Sequence, residues 1–309
     1  MKLISIMTPC YNEEQNVAEV YQRVKAVFKG LSQYQYEHLF IDNNSTDKTV
    51  VILKELARND KNVKIIVNVR NFGHIRSPFY AMLQAQGAAI VTTMADLQDP
   101  PEMIKEFIKK WEEGYKIVVG VKSKSEENWL MSAVRKIYYH FITKIADAPL
   151  IKNFMGFGLY DRSFIEIIRK LDDPYPYFRG LISELGGSIA EITYVQPRRK
   201  YGKTKNNFYT LFDMAMLGVT SHSKVPLRVM TISGFLLSLA SLLLSMIFLI
   251  LKLIFWKSFG LGLAPILIGL FFFSSVQLFF IGMIGEYIAA IHTQVLKRPL
   301  VIEKERVNF

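Results

Sequence analysis

Two long stretches without a charged residue, 229–251 and 258–285, constrain this chain more than anything else in it. Each exceeds the roughly 20 residues that a helix needs to cross the hydrocarbon core of a bilayer. One such run would fit the buried helix of a soluble core. Two in tandem read as a helical hairpin in a membrane. They also account for a mean hydropathy of +0.19, because the excess of apolar residues is concentrated there.

The flanking charges give the hairpin a direction. Lys224 and Arg228 precede the first run and Lys297 and Arg298 follow the second, while the turn between them holds only Lys252 and Lys257. Under the positive-inside rule this favours both termini on the cytoplasmic side. The first residues do not read as a secretory signal: Lys2 is followed by a short strand-like run that Pro9 breaks. Trp256 and Phe259 fall where the opposite interface is expected. The net charge of +11 comes without a nucleic-acid recognition motif and suits anionic headgroups instead. A single cysteine, Cys10, excludes an intrachain disulfide and a cysteine-based metal site.

Before the hairpin the hydrophobic period alternates between two and 3.6. Strands are expected at 3–8, 38–41, 64–67, 89–93 and 115–121. Helices are expected at 17–31, 49–57 with Asp47 as cap, 78–86, and 101–113 ended by Gly114. Such β-α alternation predicts a mainly parallel sheet with helices on both faces. Residues 122–128 read as a polar loop. The apolar stripe of 129–145 fits either the domain core or the membrane surface. Residues 206–222 read as a helix lying in the membrane interface.

Chemistry collects at the strand ends. The strand at 89–93 runs into Met94, Ala95, Asp96, Leu97, Gln98 and Asp99, and Pro100 and Pro101 then stop it. In open α/β sheets ligands bind beyond the carboxyl ends of the strands. Asp96 and Gln98 supply hard oxygen ligands suited to Mg²⁺ or Mn²⁺ against phosphates. A capped strand-to-helix turn is the competing reading. The first strand closes in Pro9, Cys10, Tyr11, Asn12, Glu13 and Glu14, and the second in Asp42, Ser45 and Asp47, with Asp42 facing the same edge. Ser45 and Asp47 suit capping. Arg70 and His74 follow the third strand. A basic run of Arg198, Arg199, Lys200, Lys203 and Lys205 precedes the interfacial helix, as a headgroup patch or a phosphate trap. Glu286, near the end of the second apolar run, suits a structural role.

Taken in order, these pieces resemble family 2 glycosyltransferases of the GT-A fold. More narrowly, they resemble the polyprenyl-phosphate glycosyltransferases, the group of dolichol-phosphate mannose synthase and the bacterial GtrB-type enzymes. The matching pieces are Pro9-x-Tyr11-Asn12-Glu13-Glu14, Asp42-x-x-Ser45-x-Asp47, Arg70-Asn71-Phe72-Gly73, Asp96-Leu97-Gln98-Asp99-Pro100-Pro101-Glu102 and Phe178-Arg179-Gly180. Arg199-x-x-Gly202-x-Thr204-Lys205 and Gly285-Glu286-Tyr287 complete the series.

The resemblance implies an α/β fold: a GT-A (Rossmann-like), mainly parallel sheet flanked by helices, then interfacial helices and a two-helix transmembrane hairpin. The chain would divide into a cytoplasmic domain at 1–205 and an interfacial segment at 206–227. A hairpin at 228–292 would follow, with spans near 229–254 and 261–288, and then a cytoplasmic tail at 293–309. It further implies inverting transfer of a sugar from a nucleoside diphosphate, UDP-glucose for example, to a polyprenyl phosphate such as undecaprenyl phosphate at the cytoplasmic membrane face. Pro9, Tyr11, Glu13, Asp42, Arg70 and Asp96 would bind the nucleotide-sugar, and Asp96 and Gln98 would hold Mg²⁺ or Mn²⁺. Asp96, Arg179 and Asp161 would carry catalysis. Arg198, Arg199 and Lys205 would take the acceptor phosphate. The partners are then the UDP-sugar, the lipid acceptor and the bilayer, with no nucleic acid and with self-association left open.

Two departures stand out. Met94 occupies a position where many relatives carry a first aspartate, and a thioether is a poor ligand for a hard cation. Gly156 and Gly158 replace an aspartate and an arginine of the GtrB pattern. Loss of that base is tolerable, because a phosphomonoester with a second pKa near 6 is already a nucleophile. Asp161 and Asp99 are the remaining candidates for a base. Two alternatives stay open: a family 2 transferase acting on a glycolipid hydroxyl, and a non-catalytic membrane scaffold.

Overall fold

Ile, Val and Leu fill both faces of the strands β1 (Lys2–Cys10), β2 (Tyr34–Asp42), β3 (Val63–Asn68) and β4 (Ala89–Thr92). Such strands need helices on both sides to remove them from water. The structure, a computed structural model, describes residues 1–124, 150–185, 187–197, 199–201, 208–255 and 263–309. The stripe of 129–145 and the interfacial pair Trp256 and Phe259 lie outside the described residues.

The connecting helices are α1 (Val17–Lys29), α2 (Thr49–Asn59) and α3 (Gly73–Gln84), with α4 (Ile104–Glu112) after β4. β5 (Ile117–Lys124), β6 (Phe154–Asp161), α5 (Arg162–Lys170), α6 (Phe178–Leu185) and β7 (Ile189–Val195) follow. The sheet order is β7-β5-β6-β4-β1-β2-β3-β8, where β8 is Glu303–Val307. β1 runs parallel to β2 and β4, β2 to β3, and β5 to β7. β6 and β8 run antiparallel to their neighbours. The expected mainly parallel, helix-flanked sheet is therefore present.

Alternation along the strands splits the core into two layers. Ile4, Ile6 and Val91 pack with α1 and α4 through Val20, Val24, Ile104 and Phe107. Met7, Ile66 and Ile90 pack with α3, α5 and α6 through Phe79, Ile165 and Ile182. Each of these fully buried aliphatic or aromatic side chains contributes about 1.5–3 kcal/mol.

One boundary moves from its expected place. α3 starts at Gly73 rather than Pro78, so the proline lies inside the helix. Gly73, at φ +84°, turns the chain into the helix, and its N–H donates to the Asn71 side chain at 2.7 Å. Pro78 has no N–H for the carbonyl of His74, a local loss that the helix tolerates.

Beyond β7 come α7 (Phe208–His222), α8 (Val225–Ile254) and α9 (Leu263–Leu296). α8 and α9 are long and apolar enough to cross a membrane, and apolar side chains such as Phe235, Phe271 and Phe279 stand exposed along them. Leu217 and Val219 of α7, with Val225, pack against Leu150 and Tyr177 of the sheet domain. Tyr287 of α9 donates to the Ser223 carbonyl at 2.7 Å. After α9 the chain returns to the sheet, and β8 pairs with β3.

Candidate active site

The carboxyl ends of β1, β2 and β4 lie side by side, because Cys10 registers with Asp42 and Met7 with Thr92 in parallel pairs. Three loops leaving this edge build the site. The loop after β1 turns at Asn12, which adopts the left-handed region at φ 56°. It is stitched to the loop after β2 by cross-bonds: Asn12 N–H to Ser45 Oγ at 2.8 Å, Glu13 N–H to Thr49 Oγ1 at 2.8 Å, and Thr46 N–H to Asn12 Oδ1 at 2.8 Å. Glu14 N–H reaches Asp47 Oδ2 at 3.2 Å, while Asp47 Oδ1 accepts from Thr49 N–H, at the first residue of α2, at 3.0 Å; the N-cap position itself is Lys48. Ser45 and Asp47, expected as caps, instead lock two loops together.

Asp42 is fully buried at the end of β2. Ser45 donates to both of its oxygens, through its N–H at 2.9 Å and through its hydroxyl. Burial raises the Asp42 carboxyl above the usual range, against the pull of the Ser45 bonds. The same loop end raises the Cys10 thiol by burial and by the nearby charges of Asp42, Glu13 and Asp47. This part of the cleft is thus acidic in a basic protein.

On the loop after β4, Leu97 takes φ 59° while its side chain is 5% exposed. A leucine in this conformation costs of order 1–3 kcal/mol, held here by its burial. Asp96 and Gln98 flank it and remain half-buried, with Asp96 Oδ1 accepting from the Gln98 N–H at 3.1 Å. The other Asp96 oxygen lies 3.9 Å from Arg199 Nε, and Arg199 Nη2 donates to Glu13 Oε1 at 2.9 Å. One guanidinium therefore joins the loops after β1 and β4. Arg199, expected to take the acceptor phosphate, lies against the loop after β1; Arg198 and Lys205 lie outside the described residues.

The donor set suits a hard divalent cation: a carboxylate and an amide side by side, with one carboxylate oxygen accepting no hydrogen bond among the described residues. No group of three His, Cys, Asp or Glu residues placed to hold a metal ion occurs among the described residues. A cation held by Asp96 and Gln98 would complete its shell with donor phosphate oxygens and water.

Asp161, expected among the catalytic residues, does not stand with them. It ends β6, which runs antiparallel to β4, so it registers with Ala89 at the opposite edge of the sheet from Asp96. There it caps α5, accepting from the Ser163 N–H at 3.0 Å, and receives the Trp111 indole N–H at 2.7 Å. Its work is structural. Asp99 is 4% exposed and accepts from Tyr194 Oη at 2.8 Å. Burial pushes it up to about 6, against the Tyr194 bond and the Lys122 charge. Arg70 stacks over Phe72 at 4.2 Å. Arg179 reaches Met155 Sδ at 3.7 Å and lies near enough to His74 to lower its proton affinity, after burial. His74 Nε2 is in turn 3.1 Å from Met214 Sδ of α7.

The family model for glycosyl transferase family 2 matches residues 5–168, the segment that carries all three loops. The chain belongs to this family. It is 37% identical over 299 residues to the uncharacterized glycosyltransferase YkcC of Bacillus subtilis (strain 168), covering 96% of this chain and 92% of that one. It is 33% identical over 303 residues to the SfII prophage-derived bactoprenol glucosyl transferase of Shigella flexneri, covering 98% and 97%. Among solved structures, glucosyl-3-phosphoglycerate synthase from Mycobacterium tuberculosis, in complex with Mn²⁺, UDP and phosphoglyceric acid, matches at a TM-score of 0.50 and 16% identity. That match covers 71% of this chain and 76% of the other and shows the shared fold.

The glycosyltransferase's departures now have physical settings. Met94 is 39% exposed, at the cleft edge. Gly156 lies beside the same strand, its carbonyl accepting from the Thr92 hydroxyl, and its φ of +104° disfavours any side chain. At Gly158 a Cβ would stand 2.4 Å from the Val118 carbonyl oxygen, so the strand pairing itself excludes an arginine there.

Proposed function

We propose that this family 2 enzyme transfers a sugar from a nucleoside diphosphate, UDP-linked, to a polyprenyl phosphate at the cytoplasmic face of the membrane, with inversion. The observation that carries this reading is the Asp96–Gln98 loop, tied through Arg199 to Glu13 of the loop after β1, in a chain that carries two membrane-length helices. Near full-length similarity to a bactoprenol glucosyl transferase supports the acceptor class.

In this mechanism Pro9, Tyr11, Glu13 and Asp42 bind the nucleoside against two loops already locked by Ser45, Asp47 and Thr49. Asp96 and Gln98 would hold Mg²⁺ or Mn²⁺, which supplies charge neutralisation for the departing diphosphate. Arg199 brings a fixed positive charge to the same place. The acceptor phosphate oxygen attacks the anomeric carbon as the bond to the diphosphate breaks, giving a β-linked lipid phosphate sugar from an α-linked donor. An ionised phosphate needs no proton removed, which fits a site with glycine at 156. The β3–β8 pairing supports both ends of the hairpin on one side, because the strands lie before the first span and after the second.

The test is mass spectrometry of lipid-phosphate sugars made by membranes containing the chain, with a panel of nucleotide sugars. Wild type is expected to yield one lipid-linked sugar. Asp96→Ala is expected to abolish it, by at least about 10²-fold, in a folded protein. Full activity in that variant would remove Asp96 from the site.

A further inference from the structure

Three arginines gather at the membrane-proximal end of the sheet domain with no carboxylate paired to any of them among the described residues. Arg70 and Arg76 both lie over the Phe72 ring, their guanidinium carbons 4.2 and 5.4 Å from its centroid. Phe72 is 7% exposed, so the ring is a fixed spacer. Arg76 donates to the Pro299 carbonyl, while its Nε is buried without an acceptor. Besides the Phe72 ring, Arg70 reaches the Asn71 carbonyl at 3.5 Å. Arg298 stands two residues beyond α9. After burial, Arg70 and Arg298 lower the proton affinity of Arg76, the mark of like charges held close.

Such a group is unfavourable by itself. A buried donor left without a partner costs about 1–3 kcal/mol, and mutual repulsion adds to that. An anion would relieve both, and guanidinium forks suit phosphate oxygens. Arg76 also lies near the start of α3, the end of a helix that favours negative charge. The position points to a membrane source. His74, two residues before Arg76, contacts Met214 of α7, and Arg298 directly follows a membrane-length helix. The cluster sits off the end of β3, three strands from β4, so about 14 Å separates it from the Asp96 loop at normal strand spacing.

We propose that Arg70, Arg76 and Arg298 form a second phosphate site, for a lipid-borne phosphate, that clamps the sheet domain to the bilayer where the tail leaves α9. The shared chemistry is a phosphate on a lipid. The source is either a phospholipid diester or the monoester of the polyprenyl acceptor, and the latter arm rests on the transfer reading above.

The experiment is native mass spectrometry of the full-length protein, presented separately with dioleoylphosphatidylglycerol and with undecaprenyl phosphate. Wild type is expected to retain one lipid. Arg70→Gln/Arg298→Gln is expected to lose at least about tenfold of that retention, as befits two lost charged hydrogen bonds. Loss for the phosphatidylglycerol probe alone assigns a structural phospholipid. Loss for the polyprenyl phosphate, with a raised KM for it, assigns the acceptor. Arg298→Gln alone disturbs no side-chain hydrogen bond or ion pair among the described residues and serves if the double variant fails to fold. Undiminished retention of both lipids in a folded variant overturns the site. This readout needs no turnover, so it stands or falls apart from sugar transfer.

Discussion

Arg199 Nη2 holds Glu13 at 2.9 Å while its Nε faces Asp96 at 3.9 Å, and these side chains are 22%, 11% and 17% exposed. Removing one member of so sheltered a cluster leaves charge unpaired in a partly dry cleft. Arg199→Ala is therefore expected to raise the KM for the nucleotide-sugar about tenfold, with a smaller change for the lipid acceptor. Initial rates with each substrate varied in turn decide it, and the opposite pattern would return Arg199 to the acceptor. Asp99 gives a pH signature. Its folded pKa of about 6 lies above the unfolded value, so the folded state binds the proton more tightly. Stability from this group is full below about pH 4 and lost as pH rises through 6, by roughly 3 kcal/mol. Pulse proteolysis should show that loss in wild type and not in Asp99→Asn. That Arg199 is a cation in a basic run was legible in the sequence. Its partner was not, because Glu13 lies 186 residues away and only the fold brings them together.

Strand direction explains why Asp161 misleads. Hydrophobic period locates a strand but carries no information about which way it runs. A carboxylate at a strand's end thus reads as a cleft residue whether the strand is parallel or antiparallel. β6 is antiparallel to β4, and its end faces away from the site. Burial raises the Asp161 carboxyl, but bonds from Ser163 and Trp111 and the charge of Lys116 more than reverse this, so its pKa is lowered. Its stabilisation is present above the unfolded carboxylate pKa and fades as pH falls through the lower folded value. Asp161→Ala is expected to destabilise the domain by about 1–2 kcal/mol through the lost cap. Its kcat per folded molecule should stay within about twofold, so ΔΔG‡ remains small. A hundredfold fall in kcat would restore a catalytic role. Pro78 teaches a similar point: proline favours a helix start, yet Gly73 with its positive φ set the start earlier.

For the whole molecule, the β-α alternation and the two uncharged runs made the fold class legible before any coordinates. β8 escaped notice because Glu303, Lys304, Glu305 and Arg306 crowd it with charge. That composition suits an edge strand, where charge deters further pairing. Lys54 pairs with Glu305 at 2.5 Å, Tyr80 donates to Glu303 at 2.7 Å, and the Asn308 amide donates to the carbonyls of Ala57 and Val63. Deleting residues 299–309 is expected to expose β3 and to raise proteolysis of the sheet domain and its aggregation in detergent. Equal protease resistance in the two forms would deny the tail that role. The order of synthesis gives this strand a further meaning. Glu305 leaves the ribosome 251 residues after Lys54, when both apolar helices have already been made. The β8 edge of the enzyme's sheet forms only after both apolar helices have been made, so a molecule whose hairpin is wrongly inserted would leave the outer edge of β3 unpaired.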